Sequence, residues 1–190
     1  MLTALRFATL ILLLGGILYP LAMTGLGQIF FSSQANGSFI KLSTGKIVAS
    51  RLIGQVFTRP EYFHSRPSAN AYDAANSGGS NLAPTSRKLI ERMKRDAVLY
   101  RKENPQQTAL PIDALTASAS GLDPHISLAN ALVQVPRVAA ARKLSPGIVK
   151  SLVGQLAENN FLTESPYINV LELNLALDQL QGKMQLAKAK

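Results

Sequence analysis

The stretch that decides the architecture is Phe7 to Phe31, FATLILLLGGILYPLAMTGLGQIFF. Arg6 is the only charged side chain before Lys41, and the 34 residues between them carry no formal charge. As a helix, these 25 residues extend roughly 37 Å against a hydrocarbon thickness of roughly 30 Å, enough for one tilted crossing. Thirteen of them are Leu, Ile or Phe. At about 0.3 to 0.6 kcal/mol each near the centre, they favour insertion by several kcal/mol. Pro20, Gly15 and Gly16 are tolerable in a span that neighbouring helices approach closely, and Thr24 and Gln28, four apart, share one helical face, with ordinary interfacial placement as the equal alternative. A cleaved signal peptide is the competing reading: the unbroken run Ala8 to Leu14 is short, Pro20 follows, and Ser33-Gln34-Ala35 has the small residues of a cleavage site. Apolar residues continue past Pro20 to Phe31, so a retained transmembrane helix is favoured.

Working outward, the chain of 190 residues has room for one ordinary domain beyond the span, and too little for two catalytic domains. Cys and Trp are absent, which excludes disulfide scaffolds, thiolate metal sites and cysteine nucleophiles. The span has no carboxylate or basic group within it and forms no ion pathway of its own. From Lys41 to Lys190 there are 19 basic and 11 acidic residues, a net +8. Basic residues following the span argue weakly for an inward domain, but long domains translocate largely regardless of charge. The expected organisation is a short tail (1–6), a transmembrane helix (7–31), a linker (32–44) and a soluble domain (45–190).

The soluble part reads as mixed α/β, giving an α+β fold class. Ile47, Val48, Ile53 and Val56 within Gly45 to Phe57 predict at least one strand. Thr58 to Ser86 contains Pro60, Pro67, Pro84 and a Gly pair without a sustained period, which predicts a long loop of functional or contact character. Helical spacing returns after Ser86, a predicted N-cap, with Leu89 or Ile90, Met93, Ala97 and Tyr100 on one side. Arg87, Lys88, Arg92, Lys94, Arg95, Arg101 and Lys102 outnumber Glu91 and Asp96 there, so this face is either simply solvated or meets anionic lipid or an acidic partner. Asp123-Pro124 predicts an N-cap and first helical position, opening a helix to Leu144 that is kinked or broken near Gln134 by Pro136. Ser145-Pro146 repeats the signature for a helix to about Glu158. The tail predicts a strand through Glu172 or Leu173, then a helix capped near Asn174.

Motifs for chemistry are sparse. There is no G-x-x-x-x-G-K-[ST] loop. Ser77, Gly78, Gly79, Ser80 and Asn81 form an SGGSN turn that is either structural or a weak candidate nest of backbone N–H groups for an anion or nucleotide. His64, His125, Glu61, Asp73 and Asp123 supply metal-ligating types without ligand spacing on one helix. Ser118 or Ser120 with Asp123 and His125 supplies the types of a hydrolase triad without a nucleophile elbow. Capping and loop hydrogen bonds are the preferred reading for all of these, so no catalytic residue and no metal ligand is assigned.

Ordered motifs over nearly the whole chain carry a resemblance. They are GGILYP (Gly15 to Pro20), QANGS (Gln34 to Ser38), LIGQVF (Leu52 to Phe57), YFHSRPSA (Tyr62 to Ala69), SGGSNL (Ser77 to Leu82), TASASGLDPHIS (Thr116 to Ser127), QVPRVAAAR (Gln134 to Arg142) and NVLELNLALD (Asn169 to Asp178). The sequence resembles the C subunit of the Kdp-type potassium-transporting P-type ATPase of bacteria and archaea. Glu164-Ser165-Pro166 departs from the Gly-acidic-Pro type of turn usual there. The resemblance implies a single-pass subunit of the cytoplasmic (inner) membrane with its domain on the extracytoplasmic side. The implied partners are a channel-like potassium-binding subunit, an ATP-hydrolysing pump subunit and a small membrane subunit, besides membrane lipid; nucleic acid is not among them. It further implies a non-catalytic accessory role in assembly and a chaperone effect raising the pump subunit's ATP affinity, which makes ATP a candidate ligand by family inference alone. The chain itself lacks an Asp-Lys-Thr-Gly phosphorylation motif and a TVGYG filter, the parts of a motor and a pore. Residues expected to be structural or partner-facing are Tyr62, Phe63, His64, Arg66, Pro67, Ser68, Gly121, Leu122, Asp123, Gln134 and Arg137. A membrane-anchored or secreted binding protein outside any transport complex is the alternative, with a serine hydrolase as a further class.

Overall fold

In the computed structural model, residues 1–41, 45–106, 108–159 and 165–188 are described; of the Glu164-Ser165-Pro166 turn, Glu164 lies outside them. The chain divides into two compact units, Met1–Ser50 and Arg51–Lys190.

In the first unit, helix α1 (Leu2–Leu13) runs through a π-helical turn (Leu14–Leu18) into α2 (Tyr19–Phe30), a helical stretch of 29 residues with the length and composition to cross a membrane. The wider turn immediately precedes Pro20, whose missing N–H and ring would otherwise disrupt the regular ladder at that point. None of its residues is buried within the chain. Some of its polar side chains are nonetheless bonded: Thr24 Oγ1 donates to the Pro20 carbonyl (2.8 Å) and Gln28 Oε1 accepts from Asn36 Nδ2 (2.9 Å). A short turn of helix, α3 (Ser32–Ala35), leads to an antiparallel hairpin of β1 (Phe39–Lys41) and β2 (Ile47–Ser50).

The second unit begins with a long irregular segment, then α4 (Arg87–Glu103), a 3-10 turn (Ile112–Ala114), β3 (His125–Ser127), α5 (Leu128–Arg142), α6 (Pro146–Leu156), β4 (Tyr167–Asn169) and α7 (Val170–Lys188). The β3 and β4 strands pair antiparallel, with Ile126 opposite Ile168. Those two isoleucines turn inward against α5, α6 and α7, where Val135, Val138, Val149, Val153, Leu173 and Leu177 complete the core together with Phe63 from the irregular segment. The fold is mixed α/β with one apolar helix at its N-terminal end.

Several local expectations are corrected. Asp123-Pro124 does not open a helix; it leads into β3, whose pairing with β4 defers the start to Leu128. Ser127 is the true cap, its hydroxyl accepting from the Asn130 N–H. Pro136 does not break α5, which ends at Arg142 rather than Leu144 because Lys143 turns left-handed at φ 56°. Ser145-Pro146 opens α6 as expected, with Ser145 accepting from the Ile148 N–H, although that helix stops at Leu156. The strand near the C-terminus is shorter than predicted: Asn169 Oδ1 accepts from the N–H groups of Leu171 and Glu172 and starts α7 there. Asn174 is therefore not a cap but a buried residue inside α7. On α4, Leu89 rather than Ile90 faces inward, and Ser86 occupies the cap position without a side-chain capping bond.

Candidate functional site

The irregular segment from Thr58 to Ser68 is held by side chains that reproduce strand pairing. Asn174 of α7 accepts from the Phe63 N–H (2.8 Å) and donates to the Phe63 carbonyl (3.0 Å). Gln134 of α5 does the same for the next residue, accepting from the His64 N–H (2.7 Å) and donating to its carbonyl (3.2 Å). Each buried amide thus meets the obligatory donor and acceptor of one residue. Gln134 has further partners in Asn130 Oδ1 and Arg137 Nη2. This pairing drives the Phe63 ring into the core, where it is fully buried.

Four arginines secure the same segment. Arg137 donates to the Pro60 and Tyr62 carbonyls; burial lowers its pKa, partly offset by Glu103, yet a guanidinium remains charged at neutral pH. Arg142, with only 3% of its side chain exposed, donates to the Glu61 carbonyl and pairs with Asp178 at 2.8 Å. Its guanidinium and that of Arg59 both lie about 5 Å from the Tyr62 ring centre, within the range of cation–π attraction. Arg66 pairs with Asp123 (3.1 Å) and donates to the Thr116 and Ala117 carbonyls.

The YFHSRPSA, SGGSNL and ASGLD motifs meet around Gly121. The Ser68 hydroxyl lies 2.7 Å from the Gly121 carbonyl, Ser118 N–H donates to the Pro67 carbonyl, and the Ser120 carbonyl accepts from Gly78 N–H and the Ser77 hydroxyl. Gly121 has φ +72°, and an added Cβ would collide with the Asn70 side chain and come within 2.7 Å of the Gly78 carbonyl. Only glycine fits there without rearrangement. Gly78 and Gly79 lie outside the left-handed region. The left-handed position of this turn is Asn81, at φ 50°, and its glycines pack on the 118–121 loop.

Titratable groups are paired locally. His64 Nδ1 lies 3.2 Å from Glu103, and that hydrogen bond holds the Glu103 carboxyl below its ordinary range. Burial pushes Asp123 upward, but bonds from His125 and Arg66 outweigh it and leave its pKa lowered. Burial raises the Tyr100 phenol, with Asp113 adding to the effect, so it stays a neutral donor to Asn130 Oδ1 at 2.8 Å. His125 engages Asp123, whereas Ser118 and Ser120 bond to each other and to the Gly121 and Leu122 N–H groups. A nucleophile linked to a base, which triad chemistry requires, is not assembled by these residues. Among the described residues no group of three or more His, Asp or Glu is placed to hold a metal.

Similarity to known proteins agrees with the arrangement of motifs. A family model described as "KdpC: K+-transporting ATPase, c chain" matches residues 1–179. The chain belongs to the KdpC family. Among curated relatives named "Potassium-transporting ATPase KdpC subunit", that of Koribacter versatilis (strain Ellin345) is 48% identical over 186 residues, covering 95% of each chain. That of Caulobacter vibrioides (strain NA1000 / CB15N) is 52% identical over 167 residues, covering 86% of this chain and 84% of the relative. That of Mycobacterium bovis (strain BCG / Pasteur 1173P2) is 48% identical over 187 residues, covering 95% and 98%.

Within this KdpC-family chain, Tyr62, Phe63, His64, Gln134 and Arg137 gather at one place, while Arg66, Pro67, Ser68, Gly121, Leu122 and Asp123 gather at another along the same segment. Sequence spacing did not reveal Asn174, Asn130, Tyr100, Glu103, Asp113 or Arg142. The signal for Asn174 was a polar residue flanked by leucines within a helical apolar period, Leu173, Leu177 and Leu180.

Proposed function

We propose that the chain is a non-catalytic accessory subunit of a potassium-transporting ATPase, anchored in the cytoplasmic membrane by a retained Leu2–Phe30 span with its domain on the extracytoplasmic side. The observation carrying the non-catalytic role is the use of the motif side chains: Gln134, Asn174, Arg66, Arg137 and Ser68 are bonded to backbone groups of the irregular segments. They hold the irregular segments in place, and among the described residues no nucleophile, base and oxyanion donor converge. The proposed partners are a channel-like potassium-binding subunit, an ATP-hydrolysing pump subunit and a small membrane subunit. YFHSRPSA, SGGSNL and ASGLD are its proposed structural or partner-facing motifs.

The domain works by docking and not as an ion funnel. Supporting this, Glu61, Asp96, Asp123, Glu172 and Asp178 are each within an ion pair, and Glu103 is hydrogen-bonded to His64. Asp113 is occupied by Ser127 and Asn130. The domain's basic excess repels a cation on average, and screening over roughly 8 Å leaves only a local acidic cluster able to reverse that. Any increase in the pump subunit's ATP affinity then arises by coupling through the assembly, since the bilayer separates an external domain from cytoplasmic ATP.

The test is affinity purification from gently solubilised membranes. Recovery of the pump and potassium-binding subunits with the tagged chain is expected, and recovery of the chain alone would favour an independent binding protein. Cysteines placed at Thr3 and Lys46 report sidedness: an impermeant reagent should label Lys46→Cys in intact cells and spare Thr3→Cys, and the reverse pattern inverts the topology. In the assembled complex, His64→Ala and His125→Ala should retain ATP turnover, and Glu91→Gln should change apparent potassium affinity by less than about twofold, the effect expected of an exposed charge. Abolished turnover in a stable assembly would overturn the non-catalytic reading.

A further inference from the structure

Helix α4 separates its charges by face. Its inward side carries Leu89, Met93, Ala97 and Tyr100 along with Asp96, which pairs with Arg92 at 3.7 Å, while Glu103 at its C-terminal end is exposed but bonded to His64. The outward side therefore holds Arg87, Lys88, Lys94, Arg95, Arg101 and Lys102 against one acid, Glu91, all exposed. Among the described residues none of these six cations forms an ion pair. Val98, 66% exposed, lies in the middle of the stripe, with Lys94 and Arg95 one turn before it and Arg101 and Lys102 one turn after.

We propose that this face docks on an anionic bilayer surface. A row of long, flexible cations around Val98, with Ile90 and Leu99 exposed at its edges, suits a layer of phosphate headgroups, where the stems lie along apolar surface while the charges reach phosphate oxygens. A protein partner fits less well. The stripe has no aromatic residue, no residue of the Arg137 groove or of the pocket beside Arg66, and half its cations are Lys, the type depleted from interface cores. The same polypeptide carries the Leu2–Phe30 helix, so lipid is present at high effective concentration once that span is inserted.

The proposal rests on retention of that span, which recovery of the full-length chain in the disc establishes separately. Because the protein has no cysteine, Val98→Cys takes a single spin label. The complex is placed in nanodiscs of pure phosphatidylcholine or of phosphatidylcholine with phosphatidylglycerol, and relaxation by a paramagnetic headgroup lipid is read. Strong relaxation is expected with phosphatidylglycerol only, abolished by high salt. Replacing Lys94, Arg95, Arg101 and Lys102 with Gln should reduce the docked-to-free ratio by about fivefold per charge removed. Equal relaxation in both discs overturns the proposal. So does a label shielded from soluble relaxant in both lipids, which would place a protein partner on this face.

Discussion

The two units of this chain solve opposite problems. Along Leu2–Phe30, apolar side chains face outward and threonine hydroxyls are satisfied within the helix, as with Thr24 on the Pro20 carbonyl. In the domain, apolar side chains face inward, and polar ones such as Asn174 and Gln134 cross the core to satisfy a segment without regular structure. The first arrangement needs an apolar solvent; the second supplies its own. A polar residue beside leucines therefore means something different in each: internal capping in the helix, backbone pairing in the domain.

The largest effect should follow from Phe63→Ala. The ring is fully buried and belongs to the segment that the amides hold, so about 3–5 kcal/mol of stability is expected to disappear. Denaturant unfolding of the full chain in detergent, followed by near-ultraviolet circular dichroism, measures it. A loss below about 1 kcal/mol would mean that the irregular segment is not part of the core.

Leu14→Arg tests the other side of the comparison. Leu14 is exposed within the helix, so an aqueous environment tolerates arginine there, while a bilayer centre penalises it by about 2.5–3.5 kcal/mol. Reduced resistance to alkaline extraction from membranes is the expected result, and unchanged resistance would remove the helix from the hydrocarbon.

Asn174→Ala is next in size. It orphans the buried Phe63 N–H and carbonyl, and a cost of about 2–3 kcal/mol follows from desolvation of the two unpaired groups. Asn174→Asp separates the roles, since a carboxylate keeps the acceptor for Phe63 N–H but loses the donor to its carbonyl. Faster hydrogen exchange confined to the Phe63 region, read by mass spectrometry, distinguishes loosening of the segment from global unfolding.

The smallest effect concerns pH. The Asp123 and Glu103 carboxyls have lowered pKa values in the folded chain, the first through bonds from His125 and Arg66 that outweigh burial, the second chiefly through its bond from His64. A lowered carboxyl pKa contributes stability fully present above the unfolded value and lost as pH falls through the folded one. Asp123→Asn should be less stable than the parent at pH 7, with the difference closing as pH falls below the ordinary value of 3.8. A difference that stays constant from pH 7 to pH 3 would show that packing, and not charge, accounts for it.

What the sequence determined by itself was whatever acts over one helical turn or one continuous run. The uncharged apolar stretch, the Ser145-Pro146 start of α6 and the inward stripe of α4 were legible, because the first is one unbroken run and the other two depend on residues a few positions apart. Asp123-Pro124 misled for the same reason. Its local signature fits a cap, but β3 pairs with a strand more than forty positions away, and that pairing moves the helix start to Leu128. Tertiary structure alone decided which polar side chains hold the site. Asn174 and Phe63 are 111 positions apart and Gln134 and His64 are 70, distances over which spacing carries no information about contact. An amide inside an apolar period is compatible with a cap, a solvated face or a buried pair. Only packing α5 and α7 around Phe63 leaves that backbone without water and makes the two amides its partners.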